Sequence, residues 1–194
     1  MITDTNIIKK ALLNVGIEIN DIYDLVNARQ EYSKAIPVLI ELLEKDIITN
    51  DKVKEGIIRA LAIKEARGKA GKVLIEEFNK TPKEKALLRW IIGNTMETII
   101  SDEELPDILE IVNNKDNGMA RQMFVIALGN LKNKHAEYTL INLLNDDIVA
   151  PQAIQALAKL KSIIAKEKID QLQYHPKLLI RKEAQKALKK LKSI

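Results

Sequence analysis

Apolar positions recur along this chain with a helical period, in blocks that repeat one another. GMARQMFVIALGNL (118–131) and DIVAPQAIQALAKL (147–160) carry apolar residues in matching places, each ending in Ala-Leu, a small residue, one variable residue and Leu. LLIRKEAQKALKKL (178–191) repeats the pattern with Lys in the small slot. DKVKEGIIRALAI (51–63) repeats it up to Ile63, and PKEKALLRWIIGN (82–94) follows it more loosely. The small slot holds Ala62, Gly93, Gly129, Ala158 and Lys189, at gaps of 31, 36, 29 and 31 residues. The spacing predicts an amphipathic helix for each block. A period near 30 residues marks a repeat architecture.

A second amphipathic helix precedes each block: IPVLIELLEK (36–45), AGKVLIEEFNK (70–80), ELPDILEIVNN (104–114), AEYTLINLLN (136–145) and AKEKIDQLQ (165–173). Polar joints such as Asn145-Asp146-Asp147 separate the two, and Pro82 and Pro176 stand where a new helix can start. Each unit therefore reads as helix A, tight turn, helix B. The first 34 residues differ. TDTNIIKKALLNV predicts a helix capped by Thr3 or Asp4, and INDIYDLVNARQ a second capped by Asn20. These two are expected to cover the apolar face of the first repeat, as a stack of repeats requires. The expectation is one all-α domain over 1–194, with a helical cap at 1–34 and repeats over 35–193.

Two stretches resemble HEAT repeats: LLNDDIVAPQAIQALAKL and LEIVNNKDNGMARQMFVIALGNL. They are most similar to the short bacterial kind found in phycobilin lyase subunits. That pattern runs Leu-Leu, an Asp or Asn turn, then V-R-x-x-A-x-x-A-L-G. Lys54, Lys85, Arg121 and Arg181 occupy its basic slot, and Ala150 departs from it. The resemblance covers about 35–193. It implies a right-handed α-α superhelix, a solenoid of about five two-helix repeats, with the B helices lining the concave side. It implies little about function, because such folds serve many unrelated tasks.

With the small slot numbered zero, positions −9, −5, −2, −1 and +2 are mostly apolar and fall on one stripe at 100° per residue. Position −3 lies opposite, flanked by −7 and by zero. Down the repeats, −3 reads Arg59, Trp90, Ile126, Gln155 and Lys186, and −7 reads Glu55, Ala86, Gln122, Pro151 and Lys182. The single Trp of the chain thus falls where the pattern expects solvent, beside Ile126 and Arg59 on neighbouring rungs. Trp and Arg are enriched in binding hot spots. Arg89, Asn94 and Glu97 are expected to join the same face. A slip of one residue in this irregular repeat would instead turn Trp90 to the core, and Arg89 has a structural alternative in bridging to a neighbouring helix.

Composition narrows the chemistry. Aromatic residues make up 4%, so the core must be built from Leu, Ile, Val and Ala. The absence of cysteine excludes disulfides, thiolate metal sites and a cysteine nucleophile. The net charge of +4 is uneven, with nine basic and three acidic residues in 165–194. His135 and His175 stand alone at repeat starts, the serines Ser33, Ser101, Ser162 and Ser193 lie near helix ends, and no phosphate-binding glycine motif occurs. The acidic early start with no long apolar run argues against a signal peptide, and a cytoplasmic location is expected.

The reading that follows is a non-catalytic, monomeric scaffold without cofactor or metal, holding a helix or extended segment of another protein on its concave face. The alternative is nucleic-acid binding or base excision, resembling the alkylpurine DNA glycosylases that share this repeat fold. It would use Arg59, Lys182, Lys186 and the basic C-terminal end, with Glu97 the one carboxylate near Trp90 on its helix. A bilin-lyase-like role rests on the resemblance alone.

Overall fold

The helices implied by the pattern form, with ends set by local polar groups. The computed structural model describes residues 3–192, and Ser193 lies outside them. The described residues hold twelve α-helices and no strand: α1 (Asp4–Leu13), α2 (Tyr23–Val26), α3 (Ala35–Glu44), α4 (Asp51–Ala60), α5 (Gly71–Lys80), α6 (Ala86–Ile99), α7 (Leu105–Asn113), α8 (Arg121–Leu128), α9 (Lys134–Leu143), α10 (Ala150–Leu160), α11 (Lys166–Gln171) and α12 (Leu178–Lys192). No described helix is long and apolar enough to cross a membrane. Thr3 caps α1 by accepting the Asn6 N–H, Asn50 caps α4 through Lys52 and Val53, and Asn133 caps α9 through His135. Each satisfies donors that a helix start leaves free.

The second N-terminal helix is shorter than expected, and Asn20 does not cap it. The Asp24 carboxylate folds back to accept the N–H groups of Asn20 and Asp21 at 2.7 and 3.3 Å, and Asp21 Oδ1 accepts from Tyr23. These local bonds make a turn in place of a first helical turn. At the other end the Asn27 side chain donates to Tyr23 O and closes the helix after Val26.

Two compact units divide the chain, one up to Ile99 and one from Ile100 on. In the first, α1 packs on α3, α3 on α5, α2 on α4, α4 on α6, and α5 on α6. In the second, α7 packs on α8 and α9, α8 on α10, α9 on α10, and α10 and α11 on α12. A helix thus meets its hairpin mate, the helix two places along, or both. The buried positions obey the sequence register: every residue at −5, −2 and −1 of α4, α6, α8, α10 and α12 is buried, and none at −3 is. Glu84, at −9, departs from the apolar stripe and is exposed because α6 begins only at Ala86.

The small slot has a steric cause. A Cβ on Gly129 would stand 2.8 Å from Ala156 Cα and 2.9 Å from its Cβ, so α8 and α10 touch backbone to backbone there. Gly56 is likewise roofed by the Ile22 side chain ahead of α2.

The basic slot ties the A–B turns. Arg121, only 1% exposed, donates from Nε to Gly118 O at 3.0 Å and from Nη1 to Val112 O at 3.1 Å, closing the end of α7. The same Nη1 lies 2.9 Å from Asp146 Oδ2 in the following turn, an ion-pair contact without well-directed hydrogen-bond geometry. Arg181 Nη1 donates to His175 O and Pro176 O, and Lys54 Nζ pairs with Glu77 at 2.9 Å and Asp46 at 3.2 Å. Burial by itself pushes the Asp146 carboxyl up. The close Arg121 guanidinium, the Ile148 N–H bond and the charge of Lys115 outweigh that and hold it below its ordinary value.

Two predictions follow from these contacts. Gly129→Ala forces α8 and α10 apart and lowers stability by about 1–3 kcal/mol, read as a lower urea midpoint at constant m-value; an unchanged midpoint would show that the approach is not tight. Asp146→Asn leaves a buried guanidinium without its counter-charge and costs about 3 kcal/mol at neutral pH. Because the folded-state pKa of Asp146 is depressed, its contribution is complete above the ordinary carboxylate value and is lost as pH falls through the folded value. Urea unfolding of both proteins from neutral to acidic pH should therefore show the gap closing in acid, and a constant gap would contradict the assignment.

Candidate functional site

The outward stripe of each B helix carries the residues expected to meet a partner. In the first unit, α4 presents Glu55 and Arg59, joined through Glu55 Oε1 and Arg59 Nε at 2.8 Å, with both side chains partly exposed. Tyr23 of α2 completes this group. Burial raises its pKa first, and the adjacent Glu55 charge and hydrogen bond raise it further. On α6, Trp90 and Asn94 are half-buried, as is Glu97, and Ala86 is exposed. Trp90 therefore keeps part of its ring accessible and is not core.

Arg89 does not belong to this surface. It is 5% exposed, and its Nη1 donates to Phe78 O at 3.0 Å and Thr81 O at 2.7 Å, with the guanidinium 3.8 Å from the Phe78 ring centroid. The late start of α6 leaves Lys85 outside the helix, where it pairs with Asp51 at 2.7 Å. Arg89, one turn further on, closes the carbonyl end of α5 as Arg121 closes that of α7. It does so through the carbonyls of Phe78 and Thr81.

In the second unit, Gln122 and Ile126 of α8 are half-buried, and Gln155 of α10 and Lys186 of α12 are exposed. Gln122 Nε2 donates to Ile148 O at 2.9 Å, which joins one B helix to the turn ahead of the next. Gln155 Nε2 and Lys186 Nζ both donate to Glu183, at 3.2 and 2.7 Å, so one buried carboxylate bridges two expected rungs. Glu183 escaped the sequence reading. Its signal is that −6 otherwise holds Gly56, Leu87, Met123 and Gln152, none of them charged. Pro151 is buried and offers nothing to a partner, whereas Lys182 is exposed.

The expected residues thus form two groups, Glu55 and Arg59 with Trp90 and Asn94 in one unit, and Gln122, Ile126, Gln155 and Lys186 in the other. Their polar members are mostly bonded to one another or to backbone. That arrangement fixes side-chain positions on a surface. Among the described residues no three of His, Cys, Asp and Glu converge as metal ligands. His175 lies 3.2 Å from Asp147, and Ser101 and Ser162 bond helix starts. An open groove of about 520 Å³ runs along 16–34, lined by Ile17, Leu25, Tyr32 and charged residues. It exists because the second N-terminal helix stops early, and Asp24 on its wall is already engaged by backbone. No protein-family model matches the chain, and no curated protein matches it in sequence.

Proposed function

We propose that the chain is a solenoid of five HEAT-like two-helix repeats behind an N-terminal helical cap, and that it binds another protein without catalysing a reaction. The partner lies on the B helices. Support for the repeat reading comes from helices packing two places along in each unit, with one register of burial running through five dissimilar B helices.

The observation that carries the binding reading is the −3 position. Burial is complete at the adjacent −2 and −1, yet −3 stays accessible in every repeat and includes an aromatic and an aliphatic residue, Trp90 and Ile126. Apolar side chains held at accessible, rigid positions are the usual anchors of a protein interface. The polar rungs beside them are pre-positioned by their own bonds, which lowers the ordering cost on association.

A second reading, nucleic-acid binding, draws on lysines of the second unit. Lys132, Lys134, Lys161 and Lys166 are exposed and make no ion pair, and the first two line a shallow pocket of about 210 Å³.

Photo-crosslinking residues placed at Trp90, Ile126 and Gln155 should capture a protein from nuclease-treated lysate, while the same probe at Asn142, exposed on an A helix, should not. Arg59→Glu with Trp90→Ala should weaken capture through the first unit about tenfold. Crosslinks confined to Asn142, or absent at all sites, would sink the reading. The nucleic-acid reading expects duplex binding that falls steeply with added salt, and no binding at low salt removes it.

A further inference from the structure

The second unit carries an apolar row one turn ahead of the −7 position. At −10 stand Met119, Ile148 and Leu179, exposed to 67%, 43% and 58%. Leu179 lies in α12, where −10, −7 and −3 share one side of the helix, whereas Met119 and Ile148 stand just ahead of α8 and α10, with the Ile148 carbonyl held against α8 by Gln122. The turns ahead of α8, α10 and α12 are fastened side by side: Arg121 meets Asp146, Gln122 holds Ile148 O, and Asp147 lies 3.2 Å from His175 and 3.1 Å from Lys177. The three apolar side chains therefore stand on consecutive, rigidly spaced supports.

Charge on this face has one sign. Positions −10, −7, −3 and zero of α8, α10 and α12 include Lys182, Lys186 and Lys189 and no carboxylate. Lys182 is exposed and makes no ion pair. The carboxylates closest to the face are spoken for: Glu183 is buried beneath Gln155 and Lys186, Asp146 is held by Arg121, and Asp147 by its neighbours in the next turn. Basic charge is concentrated on α12, and apolar groups run the width of the three helices.

We propose that this face holds an amphipathic helix of a partner protein, laid across α8, α10 and α12, with an apolar residue at every seventh position and carboxylates at the end that meets α12. The proposal rests on reading the B helices as a partner-binding surface, and it names the partner's chemistry. Packed helices stand 8–10 Å apart, and seven residues of helix rise about 10.5 Å, so one apolar residue of the row meets each seventh residue of the partner. An extended segment fits less well. It would need a row of backbone hydrogen-bond partners, and this face offers only two side-chain amides, Gln122 and Gln155, each with one N–H already committed.

The test uses the full chain and a labelled synthetic helix with leucine at every seventh position and glutamates around the last leucine. Two control peptides move the leucines out of that spacing or replace glutamate with lysine. Fluorescence anisotropy should show binding of the in-register acidic peptide alone, weakening as salt rises. Met119→Glu and Lys182→Glu alter exposed side chains without ion pairs, so both variants should keep the wild-type circular dichroism. Each should weaken the acidic peptide about tenfold, and Lys182→Glu should improve binding of the lysine peptide. Equal binding of all three peptides, no binding of any, or indifference to both variants overturns the proposal. If Ile126 and Gln155 still crosslink to a cellular protein in that event, the binding surface stands and only its acidic helical occupant falls. If they do not crosslink, the surface reading falls with it.

Discussion

Most helices of this chain are about ten residues long, and isolated helices of that length are marginal in water. Each persists because its neighbours cover its apolar stripe, so the fold depends on how closely successive helices can approach. The contact of Gly129 with the Ala156 backbone shows the limit. A side chain there would hold α8 and α10 apart and open the layer of −5, −2 and −1 residues, including Phe124 and Leu157, that closes between them. Where the slot lies on the last helix, at Lys189, the residue is exposed and the size limit disappears.

Close approach of helices brings turns together, and turns carry unsatisfied carbonyls. A buried guanidinium is an economical answer because its planar fork reaches several acceptors at once. Arg121 bonds its own turn and the end of α7 and neutralises Asp146 in the next turn. The same need arises after α5, where the late start of α6 puts Lys85 out of reach and Arg89 meets it from one turn further on. The repeat therefore conserves a physical task within this chain more strictly than the position of the residue that performs it.

The accessible faces follow from the same geometry. Helices that bury −2 and −1 must turn −3 outward, so whatever occupies −3 becomes surface with fixed spacing. Polar residues there have bonded among themselves, as in Glu55 with Arg59 and Gln155 with Lys186 through Glu183. Apolar ones, Trp90 and Ile126 with Met119, Ile148 and Leu179, have no such outlet and keep surface open to solvent.

Periodicity alone determined the helical class and the register of burial, because burial in a helix is a matter of angle and angle is readable from spacing; the slip that would turn Trp90 to the core was excluded only by the packing of α6. Sequence also foresaw the start of α1, since capping by Thr3 is local. It did not foresee that Asn20 yields to Asp24, because two short-range hydrogen-bond arrangements compete there and only their relative geometry chooses. Nor could spacing separate Arg89 from its exposed neighbours, because a long cationic side chain leaves its helix and is claimed by whichever carbonyls stand within reach. Tertiary structure decided those cases and the apolar row at −10, because Ile148 lies in a turn just outside its helix, where the helical angle no longer applies and only the packing of neighbouring turns sets exposure.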